Sequence, residues 1–177
     1  MRLDFQSFYF CYMNQQKVAI VCGSTQGIGK AIAHQLASEG VQVVLVGRNS
    51  ERLQATRQAL EEAFGTQPQP IQADFSQPME VKSAIAAWVA QGNVAHILIN
   101  NSGGPKSGPI VDAAPEEFLS AFNQHLICNH IMSQALIPGM KAAGFGRIIN
   151  IISTSVKQPL ANLGVSNTIR GAVANWS

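Results

Sequence analysis

The sequence predicts an α/β fold with a doubly wound parallel sheet, on three observations. Short apolar, β-branched runs alternate with longer amphipathic ones along the chain. Hydrophobic residues make up 46% of the 177 and charged residues 12%, a balance that suits central strands buried on both faces. A glycine-rich turn follows the first apolar run and opens a helix, which is how such a sheet begins when it carries a nucleotide. The length fits one domain with a sizeable core, and the crossovers between parallel strands are expected to be right-handed.

The elements follow in order. "KVAIVC" is the first strand and stops at Gly23. Ile28, Ile32 and Leu36 then recur at spacing four and mark a helix face. "VQVVLV" is the second strand, and Asn49 or Ser50 can cap a helix running to about Phe64. "PIQAD" is a short third strand. In the next helix Val81, Ile85, Trp88 and Val89 share one face, and "AHILIN" is the fourth strand. Pro115 suits a first helical turn; the helix it opens runs through Phe118, Phe122, Leu126 and Ile127 to about Lys141, with Pro138 expected to kink or end it. "GRIINIIS" is the fifth strand, and "VSNTIRGAVANWS" begins a further helix.

Composition narrows the function classes. Net charge is +2 with no block of like charge, so no electrostatic footprint for nucleic acid or membrane is expected. Cys11, Cys22 and Cys128 are an odd number without metal-ligand spacing and read as reduced thiols of a cytoplasmic protein; no metal site is expected. The opening "MRLDFQSFYFCYMNQQ" is too short for a membrane span and has no clear cleavage site for a leader. Residues 1–12 read as an upstream extension before Met13, and residues 13–177 as the domain.

The chemistry begins at "CGSTQGIGKAIA", with glycines at 23, 27 and 29. Strand, glycine turn and helix in that order bring backbone close to a pyrophosphate and aim helix N–H groups at it. Ser24, Thr25 and Ile28 belong to the same turn. The second strand ends in Gly47 and Arg48, with no acid there to meet a ribose 2′-hydroxyl and repel a 2′-phosphate. NADP(H) is therefore expected over NAD(H), with Arg48 near the phosphate and Ser24 adding a hydrogen bond; alternatively Arg48 is a solvated residue at a helix start.

This glycine spacing resembles the TGxxxGxG motif of the short-chain dehydrogenase/reductase family, with Cys22 at the threonine. Further segments match in order. Ala73-Asp74, followed by Phe75, resembles the acidic residue that meets the adenine; "NNSG", with Asn101, Ser102 and Gly103, resembles the family's NNAG; "GRIINIIS" resembles the strand ending in the catalytic serine, here Ser153. The resemblance covers roughly residues 13–177 and is nearest to the 3-oxoacyl-acyl carrier protein reductase branch. It implies a Rossmann-like domain, a small carbonyl or hydroxyl substrate and a homo-oligomer when full length. Family members continue with two more strands and a substrate-covering segment, so the sheet is expected to be incomplete at its C-terminus, with an unpaired edge on the fifth strand prone to association.

The family's chemistry rests on an asparagine, a serine, a tyrosine and a lysine. The matching offsets here hold His125, Ser153, Ser166 and Arg170. An aliphatic hydroxyl is a far weaker acid than a phenol, and arginine does not relay protons as lysine can. His125 is either a replacement acid titrating near neutrality or a helix histidine hydrogen-bonded in place. Ser153 either contacts a substrate oxygen or is a buried hydroxyl. Three readings stay open: a reductase using NADPH, an NADP(H)-binding module without turnover, and a non-functional fragment.

Overall fold

The computed structural model describes residues 16–177; the expected extension at 1–12, Met13 and Cys11 lie outside the described residues. Five parallel strands form one sheet: β1 (Val18–Cys22), β2 (Gln42–Gly47), β3 (Gln69–Gln72), β4 (Ile97–Asn100) and β5 (Arg147–Asn150). Their order is β3-β2-β1-β4-β5. The direction of winding reverses between β1 and β4, and the C-terminal ends of the strands around that reversal are where such sheets bind ligands. The doubly wound α/β class is thus the observed one.

The period of two along each strand sorts side chains onto two buried faces. Ile20, Cys22, Val44, Val46 and Leu98 face Val81, Ile85 and Trp88 of α3 (Pro78–Ala90) and Met132, Leu136 and Met140 of α5 (Cys128–Ala142). Val21, Val43, Leu45 and Ile99 face Ala33 and Ala37 of α1 (Gly27–Ser38) and Leu53 and Leu60 of α2 (Ser50–Phe64). Asn49 caps α2, its side chain accepting from Arg52 N at 2.8 Å. On α3 the indole N–H of Trp88 donates to Gln69 Oε1 at 3.0 Å and ties that helix to β3.

Three local expectations are corrected. The face of α1 that meets the sheet is Gly29, Ala33 and Ala37; Ile32 and Leu36 are partly buried beside it, and Ile28 is 60% exposed. Small residues win because the helix start packs close against the glycine turn, where an isoleucine does not fit. The helix opened by Pro115 is not uniform: α4 (Pro115–Phe122) passes into α5 through a π-helical turn over Asn123–Ile127. Pro138 does not end the element, which runs on to Ala142. Gln134 and Pro138 both lie on the exposed side, so the carbonyl that proline leaves without a partner faces water.

The last helix, α6 (Gly164–Trp176), packs Val165 and Ile169 against Ala121 and Phe118 of α4 and buries Val173 further along. A side-chain ladder joins it to the sheet. Asn100 Nδ2 donates to Asn150 Oδ1 at 2.8 Å, Asn150 Nδ2 to Ser177 Oγ at 2.8 Å, and Ser177 Oγ to the Val173 carbonyl at 2.8 Å. Among the described residues β5 pairs with β4 alone, and Ile148 and Ile149 are 37% and 48% exposed. No helix among the described residues is long and apolar enough to cross a membrane.

Candidate nucleotide site

The segments leaving the first four strands converge on a cleft of 500 Å³. Its walls include Gly23, Thr25, Gly27 and Ile28 after β1, Gly47 and Arg48 at β2, Asp74 and Phe75 after β3, and Asn101 to Gly103 after β4. The glycine turn is shaped by steric demand. Gly23 has φ of +59° and Gly27 of +53°, a region side chains rarely adopt. A Cβ on Gly29 would sit 2.2 Å from the Gly23 carbonyl oxygen and 2.7 Å from Asn101 Nδ2, whereas one on Gly27 would meet nothing within 4 Å. The turn is therefore closed on its inner side by Gly29 and open at Gly27, toward the start of α1.

Asn101 holds the turn from across the switch point. Its Nδ2 lies 3.2 Å from the Cys22 carbonyl and 3.4 Å from that of Gly23. Cys22 packs beneath, and burial pushes its thiol up to about 12; Cys128, whose thiol donates to the Phe75 carbonyl at 3.2 Å, is raised to about 12 by burial and then by the Asp74 charge. Both thiols are free and stay protonated at neutral pH, as the reading of reduced cysteines expects for these two. Asp74 turns one carboxylate oxygen to Ser76 N at 2.9 Å, which fixes the loop after β3 at the cleft rim.

Ser24 is a correction. Its hydroxyl is fully buried and lies 3.4 Å from the Val46 carbonyl, so it faces the end of β2 and not the cleft. Thr25 takes the place on the wall, its methyl against Gly47. The sequence reading also passed over Gln26 and Gln124, both on the wall, and Arg52, which reaches Gln26 Oε1 at 3.1 Å from one turn beyond Arg48. The i,i+4 spacing of Arg48 and Arg52 was the available signal for a second cation at this rim.

The four residues at the catalytic offsets cluster elsewhere. α6 packs against the π-helical turn that carries His125 and against the short turn Thr154–Val156 that follows Ser153. None of His125, Ser153, Ser166 and Arg170 lines the cleft; Ser102, hydrogen-bonded to His125, does. Ser153 accepts from Ser155 N at 3.1 Å and caps its turn. Ser166 is half-buried on α6 beside Val165. Arg170 donates to the Ile151 carbonyl at 2.9 Å, and burial draws its pKa below the ordinary value. His125 is 1% exposed, and burial, then the Arg170 charge, lowers it to about 4. It is neutral at pH 7, so a histidine titrating near neutrality is not what the site contains. No group of three or more potential metal ligands occurs among the described residues.

The model of the short chain dehydrogenase family matches residues 17–176. This chain belongs to that family. Among its relatives, hydroxysteroid dehydrogenase-like protein 1 of Gallus gallus is 33% identical over 143 residues, covering 80% of this chain and 43% of the relative. The human protein named inactive hydroxysteroid dehydrogenase-like protein 1 is 29% identical over 161 residues, covering 90% of this chain and 48% of its own length. The chain thus spans about half the length of these curated relatives. Among solved structures, L-sorbose reductase from Gluconobacter frateurii, complexed with NADPH and L-sorbose, aligns with a TM-score of 0.86 at 33% identity. That alignment covers 92% of this chain and 62% of the sorbose reductase.

Proposed function

We propose that the chain binds NADP(H) in the cleft as the cofactor of a short-chain oxidoreductase acting on a small carbonyl or hydroxyl substrate, of which a 3-oxoacyl group is one class. The observation that carries this reading is the cleft wall itself: an open glycine turn at the start of α1, with Arg48 on the same wall and no acid at the end of β2. Backbone N–H groups at the start of α1 would hold the pyrophosphate, and Arg48, with Arg52 behind it, the 2′-phosphate. Asp74 and Phe75 would border the adenine, and Asn101 keeps the turn in its binding shape. NADPH, when bound, supplies a hydride. The sorbose reductase, which holds NADPH, has the same fold over this region.

A second reading, nucleotide binding with little turnover, is favoured by the state of the catalytic offsets. Arg170 is engaged with a backbone carbonyl, His125 is neutral and enclosed, and Ser166 carries a hydroxyl too weakly acidic to replace a phenol. Titration of the purified chain with NADPH and NADH decides the first point. Arg48→Ala is expected to weaken NADPH by about tenfold to a hundredfold, the range of a charged hydrogen bond, and NADH little. Equal losses for both cofactors would remove the 2′-phosphate assignment. A panel of carbonyl substrates with NADPH then separates reductase from binding protein.

A further inference from the structure

Ser102 brings a hydroxyl to the cleft wall where the family's NNAG pattern has an alanine, and the histidine behind it sets that hydroxyl's direction. Ser102 Oγ and His125 Nδ1 are 2.6 Å apart. The π-helical turn Asn123–Ile127 aims the imidazole at β4's end, and the ring's other nitrogen, Nε2, is buried with no hydrogen-bond partner among the described residues. A neutral imidazole has one N–H and one lone pair, so the contact admits two arrangements. Were Ser102 to donate to Nδ1, the ring proton would sit on Nε2, buried without an acceptor. A buried orphan N–H is rarer than a buried bare acceptor. The arrangement that avoids it has Nδ1–H donating to Ser102 Oγ and a bare lone pair on Nε2.

In that arrangement the serine oxygen accepts from the histidine, and its own proton is free to turn outward. We propose that His125 Nδ1–H donates to Ser102 Oγ, and that Ser102 thereby presents its hydroxyl as a fixed donor to an acceptor oxygen of the bound dinucleotide. The proposal rests on the dinucleotide reading of the cleft. Ser102 shares that wall with Gly23, Gly27, Arg48 and Asn101, so the oxygen it meets belongs to a ribose or phosphate of the same ligand. His125 acts through Ser102 and is a positioning residue. The histidine and the serine both depart from the family pattern, and each is the other's hydrogen-bond partner.

Nitrogen-15 NMR of the histidine rings in the full chain reads the tautomer directly, with His125→Asn giving the assignment. Expected is a proton on Nδ1 and an unprotonated Nε2; a proton on Nε2 overturns the proposal. Ser102→Ala, which restores the family's alanine, is expected to weaken NADP⁺ about three- to tenfold in a calorimetric titration. His125→Asn added to Ser102→Ala should cost no further affinity. Adenosine 2′,5′-bisphosphate, probed alongside, locates the oxygen: a matching loss places it on the adenosine half, a loss confined to NADP⁺ on the nicotinamide half. Unchanged affinity for both probes overturns the Ser102 assignment while leaving the dinucleotide site standing. Failure of the unmodified chain to bind NADP⁺ or NAD⁺ overturns the dinucleotide reading and this donor contact with it.

Discussion

The guanidinium of Arg170 donates to the carbonyl of Ile151 across 2.9 Å, joining α6 to the segment that leaves β5. A cation at the family's lysine position is thus spent on the protein's own backbone. Removing it leaves a half-buried carbonyl without its donor. Arg170→Ala is predicted to destabilise the fold by about 1–3 kcal/mol, the cost of leaving a buried acceptor unsatisfied, read as a lower denaturation midpoint at unchanged slope. A midpoint equal to the parent's would show that the contact contributes nothing.

Gly29 has the least room of the three turn glycines. Gly29→Ala places a methyl against the Gly23 carbonyl, which cannot retreat without dragging Asn101. Overpacking of this kind costs about 1–3 kcal/mol. Stability and NADPH affinity are predicted to fall together, because the shape of the turn is the binding site. Gly27→Ala, which meets no atom but has positive φ, should affect stability less than Gly29→Ala. Equal thermal shifts for the two would contradict this account.

Acid should unfold the protein partly through His125. Its folded-state pKa of about 4 lies below the ordinary histidine value of 6.5, so between those values the unfolded chain binds the extra proton. The stabilisation is complete above pH 6.5 and is lost as pH falls toward 4, at about 1.4 kcal/mol per pH unit at most. His96, whose Nδ1 accepts from Val18 N at 3.1 Å and whose pKa is lowered by burial and then by Lys17, contributes in the same direction. Urea titrations at several pH values should show a shallower acid slope for His125→Asn; an unchanged slope would assign the acid sensitivity elsewhere.

Carbonyl reduction is predicted to be slow even with NADPH bound. General acid–base assistance contributes about 10²–10⁴-fold, and neither Ser166 nor neutral His125 supplies it readily. Ser166→Tyr with Arg170→Lys should raise the rate in a protein extended to family length. Brisk turnover by the unmodified extended protein would sink the prediction.

Much of the fold was legible because periodicity is a direct consequence of burial. Val81, Ile85 and Trp88 were placed on the buried face by spacing alone, and Asn49 was recognisable as a cap. Ile28 misled because spacing cannot show that a helix start is pressed against a turn, where smallness outweighs hydrophobicity. The π-helical turn was invisible: residues 123–127 have ordinary helical composition, and the extra residue per turn is set by tertiary packing. In the site, the glycine turn, Arg48 and Asp74 were readable from motif and position, and the structure brings them to one cleft. Ser102 and His125 are each recognisable by motif or offset, yet their pairing is not, since a separation of 23 positions gives no measure of distance.

β5 is held by one neighbouring strand among the described residues, and both faces near Ile148 and Ile149 are partly open. Amide protons there should exchange faster than those of β1, which is bonded on both sides. The Arg170 tie ends on the residue just beyond this strand, and the asparagine ladder passes through Asn150 within it. Local opening of β5 therefore loosens the ties that join α6 to the sheet, while α6 keeps its buried contact with α4 and the glycine turn keeps its own hydrogen bonds to Asn101. The strand beside Ser153 and the Arg170 contact is thus predicted to open more often than β1, which leads into the glycine turn, so order around α6 can fluctuate while the turn keeps its shape.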